Sequence, residues 1–189
     1  MRADRLVAIG TSAGGVDALK RLLSGLPPQI PATFCVVMHM APLPESLLPN
    51  ILTRFSALPV HDAVSGQHLE KGHVYVAQPN RHLILEDSRA ILTLGPKENH
   101  SRPAIDPFFR SAASAYGPRA IGVILTGMLD DGAAGLWEIK NHGGIAIVQS
   151  PQDAEFPFMP LSALRNGNID YQVSLEEMPE LLNLLCRQG

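Results

Sequence analysis

Ser12, His39 and Asp131 have side chains that would serve one another as nucleophile, base and orienting carboxylate. Ser12 lies in Gly10-Thr11-Ser12-Ala13-Gly14, a G-x-S-x-G pattern followed by a further glycine, Gly15. Such a segment lets a chain turn sharply from strand to helix, leaving a hydroxyl beside the free N–H groups of a helix N-terminus. A serine hydroxyl is a weak nucleophile at neutral pH and needs a base. Neutral imidazole serves when a carboxylate holds its tautomer. His39 follows Val36-Val37-Met38, and either Asp131 or Asp130, in Thr126-Gly127-Met128-Leu129-Asp130-Asp131-Gly132, supplies the carboxylate. Taken singly, each feature has a plainer reading. Residues 10–15 make a tight turn or an anion cradle, His39 a strand-end histidine, and the Asp pair an N-cap for the next helix.

The elements that must position these groups are legible in the hydrophobic pattern. Apolar, β-branched-rich runs at 6–10, 34–40, 73–77, 120–126 and 144–149 are bounded by turn residues, as expected of strands covered on both faces. Helical spacing predicts helices over 16–23, 45–55, 106–116, 133–141 and 175–186. Strands alternating with helices predict an α/β fold: a doubly wound, mostly parallel sheet with flanking helices. Two short runs, 82–86 and 90–94, separated by Asp87-Ser88-Arg89, predict a small antiparallel hairpin at an edge. In such sheets function collects at the carboxyl ends of strands. Ser12, His39 and the Asp pair each leave such an end. The polar stretch 96–103, with His100 and Arg102, is expected as an exposed loop over the site. The chain order Ser, His, Asp differs from the Ser, Asp, His order of α/β-hydrolases and points to another α/β esterase.

Composition narrows the alternatives. The 189 residues are expected to form a single domain, 1–189, and 46% are hydrophobic, ample for a core. A net charge of −3 argues against a general nucleic-acid binder. The charge-free stretch 23–44 contains Pro27, Pro28, Pro31, Pro42 and Pro44 and is no membrane helix; the apolar run 6–9 after Arg2 and Arg5 is too short for a signal peptide. Cys35 and Cys186 read as buried thiols of a reducing, cytoplasmic compartment. His61, His68, His73, His82 and His142 have no metal-ligand spacing, and the chain has neither C-x-x-C nor H-E-x-x-H, so neither metal nor cofactor is expected. The glycine-rich loop lacks the lysine of a P-loop.

Ile9-Gly10-Thr11-Ser12-Ala13-Gly14-Gly15, Val36-Val37-Met38-His39-Met40 and Leu125-Thr126-Gly127-Met128-Leu129-Asp130-Asp131-Gly132 together resemble the catalytic domain of the chemotaxis protein-glutamate methylesterase family. Residues 72–83, 100–113, 143–149 and 153–160 extend the resemblance along almost the whole chain. It implies hydrolysis of glutamate methyl esters on methyl-accepting chemoreceptors, releasing methanol, with glutamine deamidation as a second activity. Ser12 would then be the nucleophile, His39 the base and Asp131, rather than Asp130, the triad carboxylate. The backbone N–H of Met128, and that of Ala13, would form the oxyanion hole. His100 and Arg102 are expected to bind substrate, with Arg110 near the mouth to meet an acidic receptor helix. Leu129 stands where the family usually has glycine, and Met38 where many relatives have a polar residue. The 11 residues before Ser12 do not hold the family's receiver domain; either a receiver or histidine-kinase pathway is expected to act in trans, or the sequence is one part of a larger fusion. A non-catalytic binding module on the same fold, or an esterase for another small ester, are the alternatives.

Overall fold

Strands hydrophobic on both faces must be covered on both faces, and the chain meets that demand by winding helices onto two sides of one sheet. The structure, a computed structural model, describes residues 5–42 and 45–188. Residues 1–4, with Arg2, residues 43–44, with Pro44, and Gly189 lie outside them. In chain order the elements are β1 (Arg5–Thr11), α1 (Gly15–Ser24), β2 (Ala32–Met38), α2 (Leu48–Thr53), β3 (Val60–Asp62), β4 (Val74–Val76), β5 (His82–Glu86), β6 (Arg89–Thr93), α3 (Ile105–Tyr116), β7 (Ala120–Ile124), α4 (Ala133–Asn141), β8 (Ile145–Gln149), α5 (Phe158–Asn166), β9 (Tyr171–Val173) and α6 (Met178–Arg187).

Seven strands form one parallel sheet in the order β3-β4-β2-β1-β7-β8-β9. Strand pleating divides the core in two. Along β1, Leu6 and Ala8 join Phe108, Phe109, Leu136 and Met159 of α3, α4 and α5 on one face, while Val7 and Ile9 join Leu19, Leu22 and Leu182 of α1 and α6 on the other. Leu6, Val7, Ala8 and Ile9 are fully buried, which explains the absence of polar alternation in the sequence. Removing a fully buried ring such as Phe108 would cost about 3–5 kcal/mol. From β1 the chain winds first to β2 and later returns to β7 on β1's other side, so strand order reverses at β1. That reversal opens a crevice at the carboxyl ends of β2, β1 and β7.

The remaining differences from the sequence pattern have local causes. β3 and β9 are three-residue edge strands, too short and too polar to stand out as apolar runs. α5 begins at Phe158-Met159-Pro160, where the proline masks the helical spacing. The helix expected over 45–55 is confined to Leu48–Thr53, with Pro49 in its first turn and Leu47 exposed before it. The hairpin forms as β5 and β6, with Asp87 and Ser88 in left-handed conformation at its tip. It makes a two-stranded sheet of its own, because Leu83, Leu85 and Ala90 bury against the α3 side of the core and the Leu85 N–H donates to Ser111 Oγ of α3.

α3 and α4 cross closely. A Cβ at Gly135 would lie 2.6 Å from the Phe109 Cβ and 2.9 Å from the Asp106 carbonyl oxygen, so only glycine fits there. This contact brings the N-termini of the two helices together beneath the crevice.

Candidate active site

Ser12 directly follows β1, His39 directly follows β2, and residues 126–132 lie between β7 and α4. The serine loop turns through Gly14 at φ +74°, a left-handed conformation in which a Cβ would also sit 2.8 Å from Glu155 Oε2. The loop is stitched to the neighbouring strand end: Ser12 N–H donates to the Thr126 carbonyl (3.1 Å), and so does the Thr11 hydroxyl (2.8 Å). Thr126 Oγ1 accepts from Phe156 N–H (2.8 Å) and donates to the Ala13 carbonyl (3.0 Å). Gln149 Oε1 accepts from Thr126 N–H (2.8 Å). Met38 lies under the loop, its Sδ 3.2 Å from where a Gly15 Cβ would be.

Ser12 Oγ lies 3.2 Å from His39 Nδ1, and His39 Nε2 lies 2.6 Å from Asp131 Oδ2. The ring is reversed relative to the common serine-protease arrangement, in which Nε2 faces the serine. The chemistry is the same: a carboxylate accepting from Nε2–H leaves the Nδ1 lone pair to take a proton from the serine. The His39 side chain is 20% exposed and that of Asp131 is 2% exposed. Asp130 points elsewhere; it is exposed, and its carbonyl accepts from Ala133 N–H at the start of α4.

Asp131 does not cap its own helix. Its Oδ2 accepts from the Ile105 N–H (2.7 Å) and its Oδ1 from the Asp106 N–H (2.9 Å), the first-turn donors of α3. Asp106 returns the arrangement. Its Oδ1 accepts from the Gly132 (3.0 Å) and Gly135 (2.7 Å) N–H groups at the start of α4. Each helix N-terminus is thus satisfied by a carboxylate of the other segment, where neither has a side-chain cap of its own. Burial alone would raise the Asp131 carboxyl. Hydrogen bonds from His39, Ile105, Asp106 and Asn99 outweigh it and hold the group below the ordinary carboxylate range. For Asp106 burial prevails, reinforced by the charge of Asp131, and its carboxyl is raised despite donors from Gly135, Asn99 and Gly132.

Gly127 backs onto the serine, a Cβ there lying 3.0 Å from the Ser12 Cβ, and Met128 follows it. Among the described residues, the N–H groups of Ala13 and Met128 donate to no protein acceptor. Leu129 adopts φ +65°, a left-handed conformation more natural to glycine, and the residue is 67% exposed. Gly127 is bonded on both sides, its N–H donating to the Phe156 carbonyl (2.9 Å) and its carbonyl accepting from the Met159 N–H (3.0 Å). With Met128, Asp130, Phe158, Leu161, Ser162 and Arg165, Leu129 lines an open, largely apolar pocket of about 570 Å³.

The arginines expected to greet substrate have other partners. Arg102 donates from Nε and Nη2 to Asn80 Oδ1 (3.1 and 2.8 Å) and from Nη1 to the Leu94 and Gly95 carbonyls (3.2 and 2.8 Å). Arg110 Nη2 donates to both Glu98 carboxylate oxygens, Oε2 at 2.7 Å and Oε1 at 2.9 Å. Both fasten the 94–103 loop. His100 is exposed at the tip of that loop, at φ +61°. The sequence reading missed Asn99, Asp106, Thr126 and Gln149, which hold the site from behind. Asp106 looked like an ordinary first-turn acid, and nothing in the local pattern shows that a helix will be capped from another segment.

Elsewhere, Cys35 and Cys186 are both free and buried; burial pushes the Cys35 thiol up and that of Cys186 up to about 12. No helix among the described residues is long and apolar enough to cross a membrane.

Comparison with known proteins converges on one group. The CheB methylesterase family pattern matches residues 7–182. A Leptospira interrogans protein, provisionally named protein-glutamate methylesterase/protein-glutamine glutaminase, is 40% identical over 93% of this chain and 91% of its own length. A protein-glutamate methylesterase/protein-glutamine glutaminase of Anaeromyxobacter dehalogenans is 40% identical over 96% of this chain, which spans 53% of that longer protein. The crystal structure of the Thermotoga maritima CheB methylesterase catalytic domain superposes with a TM-score of 0.93 at 34% identity, covering 97% of this chain and 99% of that one. A family pattern matched over residues 7–182, relatives 40% identical across most of the chain and a shared fold leave one conclusion: the chain belongs to the CheB methylesterase family.

Proposed function

We propose that this protein hydrolyses glutamate methyl esters on methyl-accepting chemoreceptors by acyl transfer through Ser12, and deamidates receptor glutamines by the same route. The observation that carries the reading is the continuous chain Ser12 Oγ–His39 Nδ1 (3.2 Å) and His39 Nε2–Asp131 Oδ2 (2.6 Å) in a member of this family. Ser12 Oγ attacks the ester carbonyl carbon while its proton passes to His39 Nδ1. Asp131 stabilises the imidazolium through Nε2–H. The oxyanion is held by the Met128 and Ala13 N–H groups, which have no protein acceptor among the described residues. As the tetrahedral intermediate collapses, Nδ1–H protonates the departing methoxide and methanol leaves. A water, deprotonated by His39, then attacks the glutamyl-enzyme, and the returned proton frees Ser12 and a glutamate side chain.

The test is methanol release from methylated receptor, together with covalent labelling of Ser12 by a phosphonate probe. Wild type should release methanol and label at Ser12. Ser12→Ala should lose about 10⁶-fold in kcat and fail to label. Full activity in Ser12→Ala would overturn the scheme, and labelling without methanol release would point to a different ester as substrate.

A further inference from the structure

We propose that Asn99 is a positioning residue of the triad, its side-chain amide inserted between the carboxylates of Asp106 and Asp131. Asn99 Nδ2 lies 2.7 Å from Asp106 Oδ2 and 2.6 Å from Asp131 Oδ1. A primary amide has two hydrogens, one for each carboxylate. With it, each Asp131 oxygen has two donors: His39 and Ile105 at Oδ2, Asp106 N–H and Asn99 at Oδ1. An ionised carboxylate has about four lone-pair sites, so this set saturates it and fixes its plane. Without Asn99, Oδ1 keeps one donor, and two like charges lose the group that separates them.

The loop carrying Asn99 is built as a strap. His82, buried under its base, lies 2.9 Å from the Pro96 carbonyl through Nε2 and accepts from Ala104 N–H (3.3 Å) through Nδ1. Arg102 ties the strap to Asn80 and to the carbonyls after β6, and Arg110 ties it to α3 through Glu98. At the tip, Glu98 and Ser101 exchange backbone hydrogen bonds (3.2 and 2.8 Å) around Asn99 at φ +48° and His100 at φ +61°. Two left-handed central residues define a type I′ turn, which favours asparagine for backbone reasons alone. Asn99 is exposed as a residue; only its amide reaches inward.

The two explanations of Asn99, turn former or positioning residue, separate on one substitution. Asn99→Gly suits the turn at least as well but has no amide. This inference rests on the esterase reading, so Ser12→Ala is run beside it. With methylated receptor, Asn99→Gly is expected to lower kcat about 10-fold with KM changed by less than about 2-fold, and to slow phosphonate labelling of Ser12 equally. The acid limb of kcat/KM should move to higher pH, because an Asp131 with fewer donors binds the His39 imidazolium more strongly. The groups facing Asp131 in that titration are His39 after β2 and Asp106 of α3, with Asp130 beside it in the chain and the Glu98–Arg110 pair beside Asn99. Asn99→Asp keeps size and turn preference but brings a third carboxylate, and should show the same shift with a larger loss. It also carries the test if the glycine variant does not fold. Wild-type kcat, labelling and pH profile in both variants would overturn the proposal. If wild type itself neither labels nor releases methanol, the esterase reading fails, and with it this one.

Discussion

The two flanks of Ser12 are built on opposite plans. On one side, His39 leads to a carboxylate that is 2% exposed and takes four donors from three separate segments. On the other, the 127–130 turn and α5 present Met128, Leu129 and Phe158, 42, 67 and 53% exposed, around an open pocket, with Leu129 in a left-handed conformation. The first flank is over-determined, with both His39 ring nitrogens and both Asp131 oxygens partnered. The second leaves apolar surface and, at Met128, a backbone N–H with no protein acceptor among the described residues. A reaction that depends on the direction of one proton transfer needs the first kind of construction.

This contrast is best broken at Asp131, where the largest effect among the groups supporting Ser12 is expected. Asp131→Asn should lower kcat by about 10⁴-fold, less than Ser12→Ala, because it disturbs the tautomer without removing the nucleophile. Since the same carboxylate caps α3, Asp131→Asn should also cost about 2–3 kcal/mol at pH 7 in urea denaturation. Unchanged stability would show that the capping is dispensable. Asp106→Ala removes the acceptor of two buried α4 N–H groups and should cost about 3 kcal/mol by the same measurement, with a smaller loss of activity.

A pH series sharpens the comparison. Asp131 is held below its ordinary pKa in the fold, so its stabilising contribution is complete above about pH 4, the unfolded value, and is lost as pH falls through the lower folded value. The stability gap between wild type and Asp131→Asn should therefore narrow below about pH 4. Asp106, raised in the fold, acts in the opposite sense: its charged form opposes folding, and stability declines as pH rises from the unfolded value through the folded one. A gap constant down to pH 2 would contradict the hydrogen-bond account. On the open flank the effect should be smallest. Leu129→Gly relieves a left-handed leucine and loosens the unfolded chain, two effects of about 1 kcal/mol that nearly cancel. Its melting temperature should stay within a few degrees of wild type; a large drop would mean that the Leu129 side chain packs more tightly than its exposure indicates.

Much of the first-layer chemistry was legible because each group sits at the end of an apolar run. Ser12, His39 and the Asp130–Asp131 pair could be named from strand-end positions, and the alternating strands and helices predict the doubly wound sheet. The supporting layer was not legible. Asp106 and Asn99 lie in α3 and in a polar loop, and their partners are 25 and 32 residues away in sequence. Arg102 and Arg110 were expected near the mouth of the site; their protein partners were not legible because a sequence shows charge without showing which carbonyl or carboxylate will meet it. The edge strands β3 and β9 were hidden because three residues carry too little periodicity to read.

The sequence by itself determined the parallel sheet, the glycine-rich turn after β1 and the residue types able to act on an ester, since hydrophobic period and backbone freedom are local properties. The tertiary structure brings Asp131, the carboxylate the family resemblance implied, rather than Asp130 to His39, and it alone decided that the imidazole faces Ser12 through Nδ1 and that two helices cap each other across the site. Those outcomes depend on the direction of hydrogen bonds between segments far apart in the chain, which exist only once the α3–α4 crossing brings their N-termini together.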